Sequence, residues 1–358
     1  MPSILFQPLK AGAFELRNRI VMAPLTRCRA SEGRVPNDLM ADYYAQRSSA
    51  GLILSEATAI SPFGVGYPNT PGIWSAAQIE GWKKVTSAVH AHGSLILCQL
   101  WHVGRISDPI YLDGALPLAP SAIAAKGHVS LVRPEKSFVT PHAMTLAEIQ
   151  ETIGEFRRGA ENAKAAGFDG VELHAANGYL IDQFLQDSTN RRTDEFGGSL
   201  ENRMRLLLEV VDVLIGVWGA DRVAVHLAPR GDAHDMGDSD PRTLFTTVAR
   251  ELGGRKIAFL CARESHEQPA IGPAMKQAFG GVFIANENFT VQSAEAAIDN
   301  GTVDAVAFGK AFIANPDLPA RFEAEAALNE PDPSTFYPIN LDDNRIGYID
   351  YPTLKDLS

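Results

Sequence analysis

The stretch GVELHAANGYLIDQFL, residues 170–185, decides how the rest of the chain is read. It opens as a short run, Gly170-Val171-Glu172-Leu173, passes through His174-Ala175-Ala176-Asn177-Gly178-Tyr179, and enters an apolar helical pattern. A short apolar strand feeding a helix is the signature of a parallel sheet covered on both faces. In such folds the residues just past the strand's carboxyl end carry the chemistry. His174, Asn177 and Tyr179 stand there.

Working outward, seven more runs of the same kind begin at Ile20-Val21-Met22-Ala23, Leu52-Ile53-Leu54-Ser55, Leu95-Ile96-Leu97-Cys98, Val223-Ala224-Val225-His226, Ile257-Ala258-Phe259-Leu260, Val282-Phe283-Ile284-Ala285 and Ala305-Val306-Ala307-Phe308. Helical patterns fill the intervals at Ser75 to Ala91, Thr145 to Ala166, Ser199 to Val217 and Val291 to Asn300. His92-Gly93, Ala166-Gly167 and Asn300-Gly301 supply their C-terminal stops. Eight βα units with no Pro/Ser-rich linker between them predict an α/β fold: a single (β/α)8 TIM barrel spanning 1–358. Two connections that follow strands are too long for turns. One runs from Trp101 to about His142, a lid or hairpin insertion at 101–142 after strand 3. The other, Pro229 to Pro241, reads as a solvated acidic loop.

The chain is 45% hydrophobic and 21% charged, the balance of a globular protein, and its net charge of -11 without any basic run excludes a nucleic-acid partner. No segment has the roughly 20 apolar residues of a membrane span, and the N-terminus has no secretory pattern, so a cytoplasmic location is expected, with no membrane partner. Cys28, Cys98 and Cys261 are far apart, which fits three inert thiols; a reactive Cys28 near a cofactor is the alternative. No metal-ligand spacing is present.

Polar residues cluster where the strands end. Strand one is followed by Pro24-Leu25-Thr26-Arg27, strand two by Glu56-Ala57, and strand three by Gln99 and Trp101-His102. Strands seven and eight end in Asn286-Glu287-Asn288 and Gly309-Lys310, in the loops where many barrels bind phosphate. At the fourth strand, His174 and Asn177 offer two donors for a carbonyl or nitro oxygen, and Tyr179, protonated at neutral pH, offers a general acid. None of these groups can supply a hydride, so the chemistry needs a cofactor.

These blocks resemble the old yellow enzyme family. The likeness is carried by APLTR at Ala23 to Arg27, SEATAIS at Ser55 to Ser61, QLWHVGR at Gln99 to Arg105, HAANGYLIDQFL at His174 to Leu185, RRTDEFGGSLENR at Arg191 to Arg203 and AFGKAFIANPDLPARF at Ala307 to Phe322. It is strongest to the bacterial N-ethylmaleimide reductase and nitrate-ester reductase members. The resemblance implies non-covalent FMN, NAD(P)H as reductant, and a small-molecule activated alkene or nitro compound as substrate, in a monomer or homodimer. By motif position, His174 and Asn177 bind the substrate oxygen and Tyr179 protonates the α-carbon. Thr26 and Gln99 meet the flavin, Ala23, Pro24, Leu25 and Ala57 approach it by backbone, and Asn286, Asn288, Gly309 and Lys310 lie at its phosphate. Tyr67, Trp101 and Tyr351 line the substrate pocket. The iron-sulfur cysteine cluster of the larger dienoyl-CoA reductases is absent.

One departure stands out. At the end of strand five, where the family has an arginine beside the flavin, this chain has His226. Arginine is always cationic and histidine titrates near neutrality, so the reduction potential is expected to depend more on pH. Two other outcomes stay open: Arg230 reaches back to supply the charge, or flavin affinity falls. Lys310 also stands where relatives have arginine, and Glu287 is expected to point away from any phosphate. Two other function classes remain: a flavin-binding sensor of low turnover, and a flavin-free barrel isomerase or lyase.

Overall fold

The eight apolar runs pair side by side in the computed structural model, which describes residues 3–265, 270–339 and 341–356. The strands are β1 (Ile20–Met22), β2 (Leu52–Leu54), β3 (Ile96–Trp101), β4 (Gly170–Ala175), β5 (Val223–Leu227), β6 (Phe259–Arg263), β7 (Phe283–Asn286) and β8 (Ala305–Phe308). All neighbours are parallel, in the order β2-β1-β8-β7-β6-β5-β4-β3, and β2 returns to β3 through Ile53 and Ile96. The sheet is therefore closed, a (β/α)8 barrel.

Side chains alternate across each strand, so every second residue points inward. Val21, Leu52, Leu54, Leu97, Ala224, Phe259, Ile284 and Ala305 fill the interior. A hairpin of Leu9–Ala11 with Phe14–Leu16 adds Ala11, Phe14 and Leu16 to that interior cluster. The next inward positions, toward the carboxyl ends, are the polar ones, and they face a cavity rather than a packed core.

Helices start where local chemistry says they must. Ser75 and Gln78 form a reciprocal capping box at Ala76–Ala91, and Thr145 and Glu148 form another at Leu146–Ala165. The second helix stops at Gly167, whose φ of +84° is open to glycine at little cost. No helix among the described residues is long and apolar enough to cross a membrane.

Three expectations need correction. Strand six runs Phe259–Arg263 and does not begin at Ile257: Ile257 and Ala258 are buried and the Ala258 amide already donates to the Val223 carbonyl at 2.8 Å, but the ladder with β5 begins at Ala224 opposite Phe259. The apolar run marks the approach to the strand, and the paired residues extend past it to Arg263. The insertion after β3 is not a simple hairpin, since Leu118–Ala119 pairs in parallel with His142–Ala143, with an antiparallel bridge between His128 and Ser137. Its Ala125, Val129 and Phe138 share a cluster with Trp101 and Tyr179, so it packs over one flank of the cavity. The Pro229 to Pro241 loop is docked rather than freely solvated: Arg105 donates to the His234 carbonyl at 2.8 Å, Arg203 is ion-paired with the buried Asp238 carboxylate, and Met236 is buried.

Candidate active site

A cavity of about 480 Å³ opens at the carboxyl end of the barrel, a size ordinary for a small-molecule site. Its lining includes Ala23, Pro24, Leu25, Thr26, Ala57, Gln99, His174, Asn177, Tyr179 and His226, then Asn286, Asn288, Gly309 and Lys310, and Tyr67 at one side. Two expected residues are elsewhere. Trp101 is fully buried behind the lining, its ring 5.0 Å from Tyr179 edge to face and 5.5 Å from Tyr67. Tyr351 lies outside the cavity, where its hydroxyl accepts the Asp332 amide at 2.9 Å. The C-terminal aromatics that do line the cavity are Phe336 and Tyr337.

The His174 loop has a specific backbone. Asn177 and Gly178 both take positive φ, +59° and +77°, as an Asn-Gly pair does readily. A Cβ on Gly178 would lie 2.7 Å from the Ala233 carbonyl, so the loop also requires glycine for space. Burial, with His226 and Arg263 nearby, holds the His174 pKa well below its usual value, so the ring is neutral. The Ala176 amide donates to Nδ1 at 3.4 Å, which places the ring proton on Nε2. The Tyr179 and Tyr67 hydroxyls are 2.8 Å apart. Burial raises the Tyr179 pKa well above 10, so it is a phenol at neutral pH.

Beneath this lies a polar row that the sequence reading did not assemble. Glu172, fully buried on β4, accepts Gln99 Nε2 through Oε2 at 2.7 Å and faces His226 Nδ1 with Oε1 at 3.4 Å. Cys261 Sγ is 3.8 Å from His226 Nε2. The three ligand-type atoms lie within 4.8 Å of one another, but opposite ring nitrogens face the carboxylate and the thiol, so the imidazole bridges the two rather than sharing an ion with both. Burial opposes charging His226, yet its contacts with Cys261 and Glu172 outweigh that and raise its pKa. Burial also raises the Cys261 thiol, and His226 beside it works in the opposite direction. Arg230 does not reach back: it pairs with Glu264 at 2.6 Å and donates to the Ser265 carbonyl. The signal for Glu172 was a carboxylate inside an otherwise apolar strand, which must find a partner when buried.

On the opposite rim, the exposed Lys310 ammonium joins Asn288 and Gly309. Glu287 turns its carboxylate to Arg263 at 3.1 Å. Arg263 lines the cavity and was missed because the strand carrying it was expected two residues earlier. With its Nε2 committed to Glu172, Gln99 has Oε1 left as an acceptor. A floor with that acceptor, Thr26, a cation beneath it and a second cation at one rim fits FMN, a flat heterocycle with an anionic tail. The other two cysteines are buried, and burial first of all raises both thiols, Cys98 to about 12. A reactive Cys28 is not supported.

The sequence profile of the NADH:flavin oxidoreductase / NADH oxidase family matches residues 4–329. The chain is 43% identical to the probable flavin mononucleotide-dependent alkene reductase of Leishmania infantum, over 98% of this chain and 97% of that protein. It is 42% identical to putative 12-oxophytodienoate reductase 5 of Oryza sativa subsp. japonica, over 99% and 96%. Among solved structures, the old yellow enzyme homologue from Zymomonas mobilis superposes with a TM-score of 0.93 at 46% identity, covering 98% of this chain and 99% of that one. Morphinone reductase in complex with tetrahydroNAD gives 0.93 at 48%, covering 99% and 98%.

Proposed function

Because the chain belongs to the NADH:flavin oxidoreductase / NADH oxidase family and is an FMN oxidoreductase of the old yellow enzyme type, we propose that it uses NAD(P)H to reduce carbon–carbon double bonds conjugated to an electron-withdrawing group. Enones, enals, maleimides and nitroalkenes are the substrate class, with nitro compounds and nitrate esters as a second group offering the same kind of oxygen. The observation that carries this reading is the meeting of a neutral His174, the Asn177 amide and the Tyr179 phenol in one cavity.

The chemistry that FMN would supply when bound is hydride transfer, from NAD(P)H and on to the substrate's β-carbon, which no side chain here provides. Thr26, the Gln99 carbonyl oxygen and the backbone from Ala23 to Leu25 and at Ala57 would hold its ring, with His226 supplying a positive charge beneath. Asn286, Asn288, Gly309 and Lys310 would hold its phosphate. His174 Nε2–H and the Asn177 amide donate to the substrate oxygen and stabilise the negative charge that grows there. Tyr179 gives its proton to the α-carbon. The Tyr67 hydroxyl then donates to the tyrosinate left behind.

The test separates the two half-reactions. The purified protein is expected to be yellow, to bleach anaerobically with NADPH or NADH, and to recover colour with 2-cyclohexenone. Tyr179→Phe should slow the recovery by about 10²-fold or more, the usual scale of general-acid loss, and leave the bleaching nearly unchanged. Equal loss in both steps, or a colourless protein that takes up no FMN, would overturn the reading.

A further inference from the structure

Asn177 has a problem that its backbone does not solve. A side-chain amide presents either N–H groups or a carbonyl oxygen to a cavity, and only the first grips a substrate oxygen. The loop fixes where the side chain starts, through the positive φ of Asn177 and a 2.8 Å contact from His234 Nδ1 to its backbone carbonyl. Neither contact touches the amide.

Arg263 does. At the carboxyl end of β6 its Nη1 donates to Asn177 Oδ1 at 2.9 Å, and its Nη2 donates to Glu287 Oε1 at 3.1 Å. A guanidinium has five donors and no acceptor, so the atom facing it has to be the amide oxygen. That leaves both Asn177 N–H groups for the cavity, the side on which His174 offers Nε2–H. A reversed amide would set N–H against N–H at Arg263 and present oxygen to oxygen at the substrate. Glu287 keeps the guanidinium turned toward Asn177, and its backbone carries a φ of +103°, a conformation that L residues rarely adopt. Strain of this kind persists only where the surroundings enforce it.

We infer that Arg263, held by Glu287, is a positioning residue that locks the Asn177 amide with its N–H groups toward the substrate oxygen. The inference rests on the reading of His174 and Asn177 as the oxygen clamp. Its charge has a second consequence in the same direction. It disfavours an imidazolium on His174 and favours the tyrosinate of Tyr179, so one side chain supports all three members of the clamp.

The experiment titrates the oxidised FMN-loaded protein with 4-chlorophenol and follows the long-wavelength charge-transfer band. Arg263→Met keeps the apolar stem and removes every donor, while Arg263→Lys keeps a donor and the charge. Arg263→Met should weaken phenol binding about tenfold, the scale of one hydrogen bond to a charged group, and Arg263→Lys clearly less. In an Asn177→Ala background, Arg263→Met should change affinity by less than about twofold, because the two residues act as a unit. Wild-type affinity in Arg263→Met overturns the inference, and so do losses that multiply with Asn177→Ala, which would mean that the charge attracts the phenol directly. A wild-type protein that gives no band at all would instead bring down the clamp itself, and the inference with it.

Discussion

His226 carries a charge that a histidine does not normally keep, because its buried neighbours Cys261 and Glu172 together outweigh the cost of burial. A histidine whose pKa is raised on folding stabilises the fold fully below its unfolded value of about 6.5, and that contribution is lost as pH rises through the folded value. The folded value is about 10, so the imidazolium persists across the physiological range. A flavin bound above such an imidazolium would behave as if an arginine were present, in place of the pH-sensitive one expected from the sequence. Potentiometric titration of bound FMN between about pH 5.5 and 8.5 should give the same slope for wild type and His226→Arg, and Glu172→Gln should introduce a break as the imidazole returns toward its ordinary pKa. A break in the wild type near pH 6.5 would contradict this. Tyr67 makes a smaller contribution through its 2.8 Å contact with Tyr179. Tyr67→Phe removes the donor to the nascent tyrosinate, and one hydrogen bond of about 1 kcal/mol corresponds to roughly fivefold slower reoxidation by an enone. Stopped-flow measurement of that half-reaction checks it, with bleaching by NAD(P)H as the control.

The helix Leu180–Leu185 ties the His174 loop to the barrel through Asp182, which accepts the Gly178 amide at 2.9 Å and Gln186 Nε2 at 2.7 Å. Burial raises the Asp182 pKa to about 7 despite those bonds. For a carboxyl raised in the folded state, the stabilising contribution is complete below its unfolded value of about 3.9 and is lost as pH rises through the folded value. Asp182→Asn, neutral throughout, loses one acceptor and should lower stability by about 1–3 kcal/mol at pH 5. The gap to wild type should narrow by pH 8. Thermal melts at the two pH values decide it, and a gap that widens with pH would be the wrong sign. This element was legible in the sequence, and the reason is locality: an Asn-Gly turn, a strand before it and an apolar pattern after it are all set within sixteen residues. Ser75 and Thr145 marked their helices for the same reason, since capping is decided by neighbours along the chain. What escaped depends on pairing across the barrel. Where β6 starts is set by β5, so Arg263 was not seen to reach the cavity, and Glu172 became meaningful only once Gln99 and His226 were known to flank it. Tyr351 was misplaced because contacts from elsewhere in the chain set the path of the C-terminal segment: Arg321 and Asn329 hold the Pro352 carbonyl beside it, and residues some three hundred positions earlier hold the stretch before it.

Those residues are Arg27, Arg29 and Arg47, all buried, and together they clasp the C-terminal segment over the cavity mouth. Arg29 donates to the carbonyls of Asn344 at 2.9 Å, Thr335 at 3.0 Å, Ile346 at 3.0 Å and Phe336 at 3.2 Å. Arg27 adds Phe336 at 3.0 Å and Gly347 at 2.7 Å. Arg47 adds Tyr348 at 3.3 Å, and Tyr348 stacks on Tyr43 with ring centres 4.1 Å apart. The same clasp that brings Phe336 and Tyr337 to the cavity is continuous with Thr26 at its floor, so anchoring the tail and shaping the site are one structural act. Burial lowers the Arg29 pKa to about 10, which still leaves it cationic at neutral pH. Arg29→Met keeps most of the packing volume and removes the donors, and each carbonyl left buried without a partner costs about 1–3 kcal/mol. Thr335, Phe336 and the stretch from Asn344 to Tyr348 should then come free while the barrel, whose strands they do not join, remains folded. Limited trypsin digestion is expected to cut the variant after Arg345 under conditions that leave the wild type whole, with unchanged far-ultraviolet circular dichroism and weaker phenol binding. Cleavage at equal rates in both proteins would show that the tail is held by its aromatic packing and not by the guanidinium.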